Sequence, residues 1–409
     1  MILKLGHNDL IILLSSIGGV LILARIFAEL GKKIKMPIVM GEIVLGIILG
    51  PTIFGTIAPD SFTYFFPKVG AAKIAMDGIT NLAVIMLLFV AGMEVQLQII
   101  LKQGKTAIYT SFTSMIIPFL LGFGAVWFFP DFFHYTPERK LVYSLFFGIA
   151  MAVSALPVIT RILMDLNLFK TKIGMVIISA AIFDDLTGWL IFSLVLSLMG
   201  QPGEITNIWF SVGMILGFGL FMLIVGRWTI NKVLPWIQKN LSWPGGVLSI
   251  SLGFCFLGAA FTEYIGLHAI LGAFIVGIAL GDSVHLHERE REIIHQFVTN
   301  VFAPLFFVGL GLKVNFIANF DWQLVTLVVF LAMICKVFGA SLGAYMGGLT
   351  KRESLAVGFG LNARGAMEII LGTLALNAGL IDEKMFVALV VMALLTSMIS
   401  GPLMRKFID

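Results

Sequence analysis

Apolar runs of around twenty residues recur from one end of this chain to the other, separated only by short stretches that carry charge, proline or glycine. A bilayer core of roughly 30 Å takes about 20 helical residues to cross, and a helix satisfies its backbone hydrogen bonds internally, as hydrocarbon demands. Cutting at the breaks gives segments at 9–29, 37–55, 78–97, 104–129, 139–165, 172–200, 206–230, 244–263, 267–282, 293–313, 322–347, 353–378 and 384–404. The pattern predicts an all-α integral membrane protein, a single transmembrane domain over residues 1–409 with thirteen helices. Only 12% of residues are charged, about half the share in a soluble domain, which excludes a water-soluble globule. The net charge of +4 is small and dispersed, which excludes the basic face of a nucleic-acid binder. No charged leader with a short apolar stretch and a small-residue cleavage site opens the chain, so the first run is read as a retained span.

Basic residues near span ends mark the cytoplasmic side, while acids count for little. With the N-terminus outside, most of the 27 lysines and arginines fall in inner loops. An outside N-terminus and a cytoplasmic C-terminus are therefore expected, in a multi-pass protein of a cell membrane.

The chain also repeats itself. Met40-Gly-Glu-Ile-Val-Leu-Gly-Ile-Ile-Leu-Gly50 and Leu271-Gly-Ala-Phe-Ile-Val-Gly-Ile-Ala-Leu-Gly281 carry three glycines at one spacing. The segments after them end alike, in Leu87-Leu-Phe-Val-Ala-Gly-Met-Glu-Val95 and Phe306-Phe-Val-Gly-Leu-Gly-Leu-Lys-Val314. The first six segments thus pair with the last six, and the seventh is a connector. An odd number of crossings separates the partners, so the second copy is upside down. Two inverted six-helix repeats are a transporter architecture.

Ionisable groups inside spans are expensive and mark function. Ala180-Ala-Ile-Phe-Asp184-Asp185-Leu-Thr-Gly-Trp189 sets two carboxylates side by side in the sixth segment. Neighbours on a helix diverge by about 100°, so the two reach different sides of one cavity. Such a pair can trade a proton for a hard monovalent cation, for which oxygen ligands are suited. No thiolate or imidazole set accompanies it, and Cys255 and Cys335 read as small core residues. No cofactor is expected, and no metal beyond the transported alkali cation.

The fifth segment contains Ala152-Val-Ser154-Ala-Leu-Pro157-Val-Ile-Thr-Arg161. Pro157 lacks the N–H that the Val153 carbonyl needs, so this helix must kink or unwind. Its repeat partner, the twelfth, contains Gly358-Phe-Gly-Leu-Asn362-Ala-Arg364-Gly365-Ala-Met-Glu368. Two facing interrupted helices aim dipoles and free carbonyls at the bilayer centre, where Ser154 and Asn362 add neutral oxygens. Arg364 and Glu368 stand four apart and neutralise each other, supporting the site rather than binding the ion. Lys336, in the eleventh segment, either pairs with Asp184 in the cation-free state or snorkels to an interface.

Other motifs carry less. Gly104-Lys105-Thr106 is no phosphate loop, because Ile99 stands where the first glycine is needed. His287-Glu288 lacks the second histidine of a zinc protease, Arg291 occupying that place. The run from His285 to Glu292 reads as a solvated cytoplasmic loop, and His268 as a helix opener with a packing role.

With these residues in view, the chain resembles the second branch of the monovalent cation:proton antiporters, which includes Kef, NapA-like and plant cation/proton exchanger types. The motifs that carry the resemblance are Ser154-Ala-Leu-Pro-Val-Ile-Thr-Arg-Ile-Leu, Asp184-Asp185, Gly266-Leu-His-Ala-Ile-Leu-Gly-Ala-Phe, Pro304-Leu-Phe-Phe-Val-Gly-Leu-Gly-Leu-Lys, Lys336 and Asn362-Ala-Arg-Gly. They span nearly the whole chain. The resemblance implies a NhaA/NapA-like fold with crossed discontinuous helices, usually as a homodimer. It implies a core subdomain near 104–200 and 322–404, a dimer and gate subdomain near 9–97 and 244–313, and a linker helix at 206–230. It assigns ion and proton carriage to Asp185, and links Asp184 and Lys336 with electrogenic exchange. Kef proteins have glutamine where Asp184 stands and a cytoplasmic nucleotide-binding domain, so Kef-type regulation is not expected in this polypeptide.

The resulting expectation is a secondary antiporter, not an enzyme. It exchanges Na+, with Li+ possible and K+ the alternative, for protons by alternating access, in what the compact chain and the family resemblance together imply is a bacterial inner membrane. A passive channel would need a continuous polar lining, whereas the charges here gather in one layer. An aspartyl protease needs carboxylates converging from two segments, and adjacent residues on one helix diverge.

Overall fold

The computed structural model describes residues 4–33, 38–95, 104–133, 139–166, 168–169, 171–198 and 208–408. Every regular element among them is helical. In the first half these are α1 (His7–Lys33), α2 (Ile38–Leu49), α3 (Phe54–Ile57), α4 (Pro59–Phe65), α5 (Ala71–Glu94), α6 (Lys105–Phe128), α7 (Lys140–Ala152), α8 (Leu156–Asp165) and α9 (Lys172–Leu198). They continue as α10 (Ile208–Phe221), α11 (Arg227–Asn240), α12 (Gly245–Tyr264), α13 (Ala269–Gly281), α14 (Glu288–Phe297) and α15 (Ala303–Gly311). The last four are α16 (Trp322–Met346), α17 (Lys351–Leu361), α18 (Ala366–Asn377) and α19 (Glu383–Ile408). Single π turns at Met222–Gly226 and Val298–Phe302 join α10 to α11 and α14 to α15.

Ten of these stretches are long and apolar enough to cross a membrane, and α17 with α18, bent by 46° across a break, makes an eleventh. Helices α7 and α13 are apolar but shorter. The chain is a multi-pass membrane protein.

Charges mark helix ends only coarsely. α5 begins at Ala71 rather than 78, because Lys73 and Asp77 pair along its first turns and need no loop. The connector expected to stop at 230 runs through a π turn to Asn240. The expected solvated loop ending at Glu292 is corrected too: from Glu288 onward it is helix α14. Two of its charges turn inward to partners. The buried Glu290 carboxylate accepts the His287 N–H (3.0 Å) and the Gln238 amide (2.9 Å). Arg291 donates to the Met93 carbonyl (3.0 Å) and the Gly281 carbonyl (2.7 Å), at the C-terminal ends of α5 and α13. Such ends expose unpaired carbonyls and partial negative charge, which a guanidinium answers. His268 opens α13, its ring nitrogen accepting the Ile270 N–H (3.4 Å).

The chain divides into two compact units, Met1–Val95 with Leu216–Asn319, and Gln96–Ile215 with Phe320–Asp409. In the first, α2 packs on α15 and α13 on α5. Both seams are made by glycine. A Cβ on Gly46 would lie 2.5 Å from the Val308 carbonyl, and one on Gly277 would overlap the Phe89 carbonyl. Peptide groups thus meet directly, as small residues allow in membranes. In the second unit α16 lies against α6 in the same manner, Gly343 leaving room for the Tyr109 carbonyl. That contact sets Lys336, two turns earlier on α16, beside Ser114 of α6.

Candidate cation and proton site

Two helical courses in the second unit are interrupted, and the breaks touch. α7 ends at Ala152, Val153 and Ala155 are extended, and α8 starts with Pro157 in its first turn. α17 ends at Leu361, and α18 starts at Ala366. The Ala155 N–H donates to the Ala363 carbonyl (3.0 Å), tying one break to the other. Gly365 lies so near that an added Cβ would stand 3.1 Å from the Ala155 Cβ.

An interrupted helix leaves carbonyls that hydrocarbon cannot satisfy. Two buried cations take them. Arg364 donates to the carbonyls of Ala150 and Met151 (2.6 Å to the latter) and to Glu368 (3.0 Å). Lys336 donates to the Ala152 carbonyl, the Ser114 carbonyl (3.0 Å) and Asp184 Oδ2 (2.6 Å). Ser114 has its carbonyl to spare because Pro118, four residues on within α6, has no N–H. An ammonium has three donors, and here three acceptors meet them.

Asp184 is fully buried on α9. The Ser114 hydroxyl donates to its Oδ1 (3.0 Å). The Ser154 hydroxyl lies 3.0 Å from Oδ2 and 2.8 Å from the Leu361 carbonyl at the open end of α17, so its one proton can serve either. Asp185 comes next on the same helix, 7% exposed, about 100° round from its neighbour. Asn362, the residue after Leu361, is also wholly buried, and neither its amide oxygen nor its nitrogen has a hydrogen-bond partner among the described residues. An unmet buried polar group costs about 1–3 kcal/mol, and this amide bears that cost at both its oxygen and its nitrogen.

Ser154, Asp184, Lys336, Arg364 and Glu368, singled out from the sequence, therefore gather where the two breaks meet. Lys336 is paired with Asp184 rather than snorkelling, and Arg364 is paired with Glu368. Sequence reasoning missed Ser114 and Pro118, whose four-residue spacing in an apolar run was the available signal. It also passed over Glu42 in the first unit, 2% exposed on α2 with no hydrogen bond to Oε2 from the described residues.

Comparison with known proteins gives matches of three kinds. The family model described as "Sodium/hydrogen exchanger, transmembrane" matches residues 18–407. The Na(+)/H(+) antiporter NhaS4 of Synechocystis sp. is 31% identical over 98% of this chain and 98% of that one. The K(+)/H(+) antiporter 1 of Saccharomyces cerevisiae is 31% identical over 91% of this chain and 43% of its own length. The chain spans about half the length of the plant and yeast relatives it matches. Among solved structures, the sodium proton antiporter MjNhaP1 from Methanocaldococcus jannaschii at pH 8 shares the fold, with a TM-score of 0.66 at 16% identity over 98% of this chain and 97% of that one.

Proposed function

Since the chain belongs to the sodium/hydrogen exchanger family, we propose that it is a secondary antiporter that exchanges a monovalent cation for protons by alternating access. Na+ is the first candidate and Li+ a second. K+ is the alternative, favoured by the exchanger-type motifs and by the name of the yeast relative. The carrying observation is the contact between two interrupted helices, where the buried Asp184–Lys336 pair is joined through Ser154 to the Leu361 carbonyl, one residue before Asn362.

In this reading Asp185 is the carrier. Deprotonated, it binds the cation, with Ser154, Asn362 and freed carbonyls as neutral oxygens in place of water. Asp184, held by Lys336, sets the local charge. Arg364 and Glu368 neutralise each other and keep the α7 end closed. Protons arriving from the other side compete for Asp185 and release the cation, so one site gives coupling.

In the same reading, the ten long spans, the bent pair and the two shorter apolar helices account for thirteen crossings arranged as inverted repeats. The unit holding the two interrupted helices acts as the moving core, and the other as the gate and dimer scaffold. The N-terminus is outside, the C-terminus cytoplasmic, and the working form a homodimer.

Sealed proteoliposomes with an internal pH dye, given Na+, Li+ or K+ separately at clamped potential, test the reading. Wild-type protein should move protons in response to at least one of these ions, and Asp185→Asn should not while remaining folded. Continued exchange by that variant refutes Asp185 as the carrier.

A further inference from the structure

The first unit carries an apolar groove that the exchange reaction does not use. It has a volume of about 340 Å³ and runs along α10, its π turn and the start of α11, with α12 as the other wall. Phe218, Met222, Val225, Leu257 and Phe261 line it, and among the described residues Thr229 is the only polar one facing it. Leu257 is 70% exposed and Phe261 50%, so the groove opens to the outside of the unit.

Past the groove the helix surface turns from apolar to basic. On α11, Thr229, Lys232, Trp236 and Lys239 are spaced so that they stay within about 40° of one line. The stripe that leaves the groove thus ends in two lysines with a tryptophan between them. Lys232 stacks on the Trp228 ring (3.8 Å to its centre), and Arg289 stacks on Trp243 at the turn after α11 (4.2 Å). Tryptophan with lysine is the signature of the headgroup level of a bilayer. Two of the nearby acids are engaged elsewhere: Asp282 holds Arg227 (3.0 Å) and Glu290 takes Gln238. From Lys232 back to Val225 is about 10 Å and to Phe218 about 21 Å, so the roughly 15 Å of hydrocarbon in one leaflet reaches the middle of the groove.

We propose that this groove holds an acyl chain of an anionic glycerophospholipid whose phosphate sits between Lys232 and Lys239. The cations select the headgroup, and the groove, sealed from water by the chain, supplies retention without headgroup preference.

Delipidated protein in mild detergent, titrated with dioleoylphosphatidylglycerol or dioleoylphosphatidylcholine and read by native mass spectrometry, tests this. One phosphatidylglycerol should bind at least tenfold more tightly than phosphatidylcholine. K232Q/K239Q should weaken phosphatidylglycerol about 25-fold, at about fivefold per lysine, and leave phosphatidylcholine unchanged. V225W, which fills the groove, should weaken both. All these positions are exposed, so melting temperatures should not change. Equal affinity for the two lipids, or phosphatidylglycerol binding indifferent to the double variant, overturns the proposal. So does efficient disulfide crosslinking of L257C between two copies in membranes, which would make the groove a protein interface.

Discussion

Lys336→Met is the most informative single change, because methionine keeps the length and apolar stem of lysine while removing all three donors. Asp184 loses the charge opposite it, and breaking a buried pair from one side costs about 3–5 kcal/mol. The Ser114 and Ala152 carbonyls lose their donor as well, at about 1–3 kcal/mol for each group left unmet. Because one ammonium serves all three, these contributions do not simply add, and about 4–6 kcal/mol is the working figure. A chain of this length has an unfolding entropy near 0.9 kcal/mol/K at about 2.1 cal/mol/K per residue. The melting temperature in detergent, monitored by tryptophan fluorescence, should therefore fall by about 5–7 °C. Adding Asp184→Asn removes the stranded charge and should restore roughly half of the loss, leaving the two carbonyls as the remainder. A Lys336→Met protein that melts within about 1 °C of wild type refutes the three-way contact. A double variant no more stable than the single refutes the charge as the main term.

Arg364→Lys should cost about 2 kcal/mol or more, since an ammonium cannot serve the Ala150 and Met151 carbonyls and Glu368 with a planar fork; an unchanged melting temperature would count against that role. Gly50→Val pushes side-chain atoms into the Gly311 carbonyl and should abolish folded yield, whereas Gly219→Ala, with nothing within 4 Å, should gain about 0.5–1 kcal/mol; fluorescence-detected chromatography in membranes extracted at equal expression would expose a reversed ranking.

The parts of the site visible in the sequence were those that hydrocarbon makes anomalous. Two aspartates and a lysine inside apolar runs stand out whatever the fold, and Pro157 announces an unsatisfied carbonyl. The break after Asn362 has no proline, and only its place in the repeat singled it out. The acceptors of Arg364 were not legible, because they are backbone carbonyls of another helix and no residue type encodes them. Ser114 and Pro118 were passed over for a related reason: serine and proline are ordinary in spans, and their use depends on where α16 lies. The run ending at Glu292 misled in the opposite direction. Its polarity reads as exposure, which holds at His285, His287, Glu288, Arg289 and Glu292, yet Glu290 is buried and Arg291 turns inward to carbonyls that only tertiary packing supplies.

The glycine seams of the first unit have a thermal consequence. Where leucine or lysine side chains fill an interface, loosening it releases rotamer freedom, worth up to about 2 kcal/mol per long side chain, and that gain grows with temperature. At Gly46 and Gly277 the facing atoms are peptide carbonyls, and neither partner has a rotamer to recover. Warming therefore offers these seams little entropic reason to part. The α2–α15 and α5–α13 pairs should keep their spacing as the bilayer around them softens, and motion should be taken up by the chain that joins them.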